Sequence, residues 1–378
     1  MTFVDPTGPT SYSWEATDEA VADRYGVPIE EIVRFDLNTS PTPPELIAPL
    51  LAAGRFETTL SEYPPSDYRR LLEAAAVRYD AAIDELLVGA GADEVLDIIA
   101  KAFLPAGGAA VVPVPTYAMY RVLTEQRGAR VIGVPRRAAA AGWALDIDAV
   151  AGAAREAAVV WLCSPNNPTA LPEPDGSIEA LLDRLRADAI VEGRTAPLVV
   201  LDEAYAEFVG TSLAGLRDAY ERLVVVRTAS KAYALAGLRV GFAVARPEVI
   251  ARLNPYRPPG SVSTVSVTLV TAALTDPGVL ERNLRRVEAE RARLRAALAA
   301  AGWSVGPSVT NFLLVDFGTP GRAAAAAEGL LRRGLVPRTF PAGHPVASCL
   351  RLTVRDPEEN DRLIAAADEI DLAGEVPA

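Results

Sequence analysis

Histidine, cysteine and lysine are almost missing from this chain of 378 residues, and each scarcity closes a class of chemistry. The single histidine, His344, and two cysteines, Cys163 and Cys349, are too few for a His/Cys zinc site within one chain, so no metal is expected. A Ser-His-Asp triad would need His344, which sits in the turn-like run Ala342-Gly343-His344-Pro345. Two cysteines cannot make a disulfide framework, which points to a reducing cytoplasm. No stretch approaches 18 uncharged apolar residues, and no basic segment followed by an apolar run opens the chain, so neither a membrane span nor a secretory signal is expected. A basic face is lacking too: the net charge of -12 argues against nucleic acid or an anionic membrane as partner. What remains is the composition of a globular enzyme, 50% hydrophobic and 23% charged, long enough for two domains.

Lysine is the most informative scarcity. Only Lys101 and Lys231 are present, so 35 of the 37 basic residues are arginine. Arginine stays charged at every physiological pH, whereas a desolvated lysine can become a neutral amine and attack a carbonyl. Lys231 lies in Thr228-Ala229-Ser230-Lys231-Ala232-Tyr233-Ala234-Leu235-Ala236-Gly237-Leu238-Arg239, directly after an apolar run. A lysine along an apolar surface often just keeps its head in water. Here Thr228 and Ser230 supply hydroxyls on one side and Arg239 a fixed charge on the other, the needs of a phosphate beside a reactive aldehyde. Pyridoxal phosphate carries both.

The chain predicts alternating elements. Strands are expected over residues 32–37, 86–88, 109–114, 130–134, 158–162, 198–201, 223–226 and 240–245, with helices over 18–25, 44–53, 68–79, 119–127, 147–154 and 178–187. A further helical face is marked by Val95, Ile98, Ile99, Ala102 and Phe103. This alternation predicts an α/β fold with a mostly parallel seven-stranded sheet, helices on both faces, and ligands off the carboxyl ends of the strands. Residues 1–20 read as an irregular arm. Proline-rich 254–260 marks a boundary, so the large unit is expected over 55–258. The arm and a smaller α+β unit are expected over 1–54 and 259–378, the latter opening with a charged helix at 277–301. In that unit strands are expected over 311–317, 336–339 and 349–354, and helices over 322–333 and 357–367. The turn Gly89-Ala90-Gly91-Ala92-Asp93-Glu94 joins a strand to a helix amino terminus, an anion site by geometry. It departs from a dinucleotide fingerprint, which wants a third glycine where Glu94 stands and an acidic residue after the next strand.

Other strand ends suit the same cofactor. Asp202 could hold the pyridine nitrogen protonated, Asn167 and Tyr205 could donate to the phenolic oxygen, and Tyr117 could stack on the ring. Each has a plain alternative as a turn cap, loop satisfier or core residue.

Together Gly91-Ala92-Asp93-Glu94, Pro115-Thr116-Tyr117, Ser164-Pro165-Asn166-Asn167-Pro168-Thr169, Asp202-Glu203-Ala204-Tyr205, Ser230-Lys231 and Gly237-Leu238-Arg239 resemble the fold-type-I pyridoxal-phosphate aminotransferases. Within them the chain looks most like the histidinol-phosphate aminotransferase subfamily, over residues 37–361. The resemblance implies a homodimer with shared sites. It implies that Lys231 bonds the cofactor and then moves the proton, aided by Asp202 and Tyr205. Ala92, Asp93, Glu94, Thr228, Ser230 and Arg239 would bind the phosphate, with Tyr63 reaching in from a second subunit. Arg351 and Arg338 would grip the substrate's anion, near Asn38. The chain departs from the family where it reads Asn38-Thr39-Ser40-Pro41 for Asn-Glu-Asn-Pro, Tyr12-Ser13-Trp14-Glu15 for Tyr-x-Pro-Gly, and Ala170 for glycine. The resemblance implies transamination of histidinol phosphate with 2-oxoglutarate. An aromatic amino acid aminotransferase or a phosphothreonine decarboxylase would share the fold. A non-catalytic regulatory module would need a DNA-binding segment, and neither the short arm nor the acidic charge offers one.

Overall fold

The computed structural model describes residues 11–370; the first ten residues of the irregular arm expected over 1–20 lie outside them. After β1 (Val33–Arg34), seven strands form one sheet: β2 (Leu86–Gly89), β3 (Ala109–Val114), β4 (Arg130–Pro135), β5 (Val159–Cys163), β6 (Leu198–Asp202), β7 (Leu223–Thr228) and β8 (Gly241–Ala245). Their order is β2-β8-β7-β6-β5-β3-β4, with β8 antiparallel to both neighbours and the remaining pairs parallel. This is the mostly parallel α/β sheet expected.

Both faces are covered, which is why the strands read as continuous apolar runs. Alternate residues feed two cores. Val160, Leu162, Val199, Leu201 and Val225 face one, with Leu71, Val150, Leu181 and Val267 from the helices there. Trp161, Val200, Val224 and Val226 face the other, against Ile98, Leu123 and Ile250.

The smaller unit has β9 (Ser304–Val305), β10 (Phe312–Asp316), β11 (Leu335–Val336) and β12 (Cys349–Thr353). Three of these form an antiparallel sheet ordered β12-β10-β9, while β11 pairs in parallel with β1. Its own core gathers Phe35, Leu298, Trp303, Leu313, Leu352 and Leu363. No helix among the described residues is long and apolar enough to cross a membrane.

Several expectations change in detail. The strand expected over 32–37 is only β1, because Ile29–Glu31 forms a 3-10 turn before it and Asn38 adopts a positive φ of 53° after it. Helices Pro247–Leu253 and Thr264–Thr275 have no counterpart among the expected elements. The second is rich in threonine and valine, poor helix formers; burial of Val267, Leu269, Val270 and Ala273 together with the Ser263 cap overrides that preference. These residues and Ile47 share the large sheet's core, so that core extends past residue 258 and takes in part of the stretch expected to belong to the arm.

One contact shapes the sheet edge nearest the anion turn. A Cβ at Gly241 would lie 2.5 Å from the Ala92 nitrogen and the Gly91 carbonyl carbon, both backbone. Gly241→Ala must therefore push the turn at Gly91 away from β8. It is expected to lower stability by about 1–3 kcal/mol. Urea unfolding checks this; an unchanged midpoint would show that the turn moves freely.

Candidate active site

Asp202 ends β6 in register with Cys163 of β5 and Val226 of β7, and it is 4% exposed. Its Oδ2 accepts from the Tyr120 hydroxyl at 2.8 Å and its Oδ1 from the Ala204 amide at 3.0 Å. Burial pushes its pKa up to about 6, against the pull of those two donors. Tyr120 is itself fixed. Its ring stacks on Trp161, whose indole N–H donates to Thr124 Oγ1 at 3.2 Å, and the Thr124 hydroxyl donates back to the Tyr120 carbonyl at 2.7 Å. The sequence reading missed Tyr120. The available signal was its place one helical turn after Tyr117.

Lys231 follows β7, the strand next to that of Asp202. Its Nζ lies 3.3 Å from the Asn38 carbonyl, 3.4 Å from that of Leu37 and 5.8 Å from the Tyr205 ring centre. Burial first, and then the charge of Arg351, lower its pKa to about 8. About a tenth of such an amine is neutral at pH 7, against about one part in three thousand for an unperturbed lysine.

Asn38 ties this centre to the smaller unit. Its amide donates to Thr353 Oγ1 at 2.9 Å, its side-chain nitrogen to Tyr205 Oη at 2.9 Å, and its carbonyl accepts from Asn311 at 2.9 Å. Burial raises the Tyr205 phenol above its ordinary value, so it stays a neutral hydroxyl. Asn167 Oδ1 accepts from Arg351 Nη1 at 2.7 Å, and the buried Arg351 also donates to the Asp36 carbonyl. Arg338 stands opposite Arg351, their amides and carbonyls exchanging hydrogen bonds at 3.0 and 3.1 Å.

The anion cradle lies at the amino end of helix Gly91–Phe103. Gly91 has φ +82°, and a Cβ there would meet Arg239 Nη2 at 2.3 Å, so only glycine lets the guanidinium approach. Arg239 lies 3.3 Å from Asp93 Oδ2, and the Tyr117 hydroxyl donates to Asp93 Oδ1 at 3.0 Å. Thr228 and Ser230 place two buried hydroxyls 2.9 Å apart. Helix amides, hydroxyls and a guanidinium fit a phosphate. The Glu94 carboxylate is engaged elsewhere, accepting from the Ala90 amide at 2.6 Å and from Ser261 at 2.7 Å, and so closes the turn. Tyr63 is an 88% exposed ring near Gly260.

Residues 34–366 match the family model described as aminotransferase class I and II. The chain belongs to that family. It is 38% identical to the histidinol-phosphate aminotransferase of Symbiobacterium thermophilum, over 89% of this chain and 90% of that protein. It is 36% identical to the one of Roseiflexus castenholzii, over 93% of each. The solved histidinol-phosphate aminotransferase of Sinorhizobium meliloti in complex with pyridoxal-5'-phosphate superposes with a TM-score of 0.81 at 25% identity, over 95% of each chain. Aspartate aminotransferase of Thermus thermophilus shares the fold, with a TM-score of 0.77 at 22% identity, over 95% of this chain and 97% of that one.

The depressed amine yields a pH-dependent expectation for this aminotransferase without cofactor. Lys231 titrates near 8 when folded and near 10.5 when unfolded, so the unfolded chain binds more protons between those values and stability rises with pH there. Lys231→Met removes the term. The variant should be the more stable at pH 7, with its advantage shrinking from pH 8 to 10.5 in denaturant titrations; a constant gap would contradict the burial of this amine.

Proposed function

We propose that the chain is a pyridoxal-phosphate enzyme transferring an amino group between histidinol phosphate and 2-oxoglutarate, giving imidazole-acetol phosphate and glutamate. The observation that carries this reading is the meeting of three features at one site, where the ends of β6 and β7 face the smaller unit and the Arg351 charge acts on Lys231. These are the lowered amine of Lys231, the buried carboxylate of Asp202 and the paired arginines Arg338 and Arg351. The activity shared by the curated relatives supports the choice of substrate.

When bound, pyridoxal phosphate supplies an aldehyde that captures amines and a pyridine ring that draws electrons from the substrate's Cα–H bond. Asp202, steadied by Tyr120 and the Ala204 amide, holds a proton on the ring nitrogen. Asn167 and Tyr205 serve the phenolic oxygen and Tyr117 the ring face. Ala92, Asp93 and Glu94 at the helix end, with Thr228, Ser230 and Arg239, hold the phosphate; for Glu94 the donor is its backbone amide, since its carboxylate closes the turn. Lys231 Nζ, partly neutral, would take the proton from the substrate's Cα and, as an ammonium, would deliver it to the carbon of the cofactor's aldehyde group. Arg351 grips the distal anion of either substrate, supported by Arg338, and Asn38 lines the substrate space beside Lys231.

A homodimer with shared sites accords with the exposure of Tyr63 and of Leu60, 88% and 71%, since a second copy would cover both and bring Tyr63 to the neighbouring phosphate. A cytoplasmic setting accords with two unpaired, buried cysteines.

Comparing rates with histidinol phosphate, phenylalanine and phosphothreonine tests the substrate. The first is expected to be turned over fastest, and its rejection overturns the reading. Arg351→Ala should raise KM for histidinol phosphate by about 10- to 100-fold and change kcat less, because it removes anion binding and leaves the proton-transfer groups in place. An unchanged KM would remove Arg351 from this role.

A further inference from the structure

Arg338 and Arg351 are paired across one backbone bridge but are not equivalent. Arg351 is held by a carboxamide and a backbone carbonyl, both uncharged, and its Nε has no partner among the described residues. Arg338 already has a counter-ion. Its Nη1 donates to the Ser13 carbonyl at 2.7 Å and lies 3.5 Å from Glu15 Oε1. The Glu15 carboxylate is anchored in turn, accepting from the Thr339 amide at 2.8 Å and from the Thr339 hydroxyl at 2.9 Å. The side chains of Arg338 and Glu15 are only 14% and 17% exposed, so solvent screens their attraction weakly.

The segment carrying Glu15 borders the site. Tyr12 lies under the Arg338 guanidinium at 5.3 Å and 6.3 Å from the Tyr117 ring. This is also where the chain reads Tyr12-Ser13-Trp14-Glu15, a run with a carboxylate at its end.

We propose that Glu15 is a specificity-determining residue, the resting counter-ion of Arg338 that the distal oxyanion of the amino donor must displace or bind against. The inference rests on the reading that the donor carries a phosphate gripped by these arginines. An incoming phosphate or carboxylate brings a second negative charge beside Glu15, and that repulsion falls on anionic donors and not on neutral ones. Arg351 then provides the constant grip, and Glu15 adjusts how strongly Arg338 adds to it.

Inorganic phosphate titrated into the pyridoxal-phosphate-loaded enzyme tests this by calorimetry, since the cofactor fills its own phosphate site. Glu15→Gln keeps an acceptor for Thr339 but drops the charge, and should bind phosphate about fivefold more tightly than the parent. The gain should vanish in an Arg338→Ala background, because the two residues act as one pair. Unchanged or weaker phosphate binding in Glu15→Gln, or the same gain without Arg338, overturns the proposal. In steady-state assays KM for histidinol phosphate should fall in Glu15→Gln with kcat less affected. Tighter phosphate binding with no turnover of histidinol phosphate in either protein would support the role of Glu15 while removing the proposed substrate.

Discussion

The structure depends on holding two oppositely charged groups, the buried Asp202 and the partly buried Lys231, at the ends of adjacent strands. Burial drives them in opposite directions, the acid up to about 6 and the amine down to about 8. Each displacement withholds on the order of 3 kcal/mol from folding stability at pH 7, a large share for a protein of ordinary stability. Strand register makes the arrangement stable enough to persist: Asp202 lies between Cys163 and Val226, within a sheet buried on both faces. The Tyr120, Trp161 and Thr124 network then holds the carboxylate from behind.

The residue after Asp202 shows how one strand end serves two purposes. Alternation along the strand turns Glu203 to the other side, where it meets Arg227 at 2.7 Å; Arg227 also meets Glu207 at 2.6 Å. That buried triad ties the loop after β6 to β7, the strand that delivers Lys231. Backbone strain gathers nearby. Asn38, Ala170, Ala234 and Arg239 all have φ between 51° and 63°, conformations that cost a residue with a Cβ about 1–2 kcal/mol each. At Ala170 the family has glycine, and the fully buried alanine is held by its amide donating to Asn166 and its carbonyl accepting from Val309.

Legibility in the sequence followed how local the cause was. The strands of the large sheet and the polar residues at their ends were readable because continuous apolar runs and turn chemistry are local signals. Strands were also expected where β1 and β11 lie, but over longer spans; their two-residue length and their parallel pairing were not legible, since that pairing joins positions about 300 apart. Helix Thr264–Thr275 reads like a strand by composition and is helical through tertiary burial. Arg351 and Arg338 were found through family resemblance alone, as one arginine among 35 carries no distinguishing mark. The contact of Glu15 with Arg338 and Thr339 spans more than 300 residues and had no sequence signal.

Two lysines allow the central claim to be tested by chemistry at a single residue. Lys101 is a partly exposed helix lysine paired with Asp97, while Lys231 borders Asn38 and Tyr205. The pyridoxal-phosphate-loaded protein can be reduced with borohydride, digested and mapped by mass. The account predicts the added pyridoxyl mass on the peptide containing Lys231 and none on that containing Lys101; modification at Lys101, or at neither lysine, would contradict it.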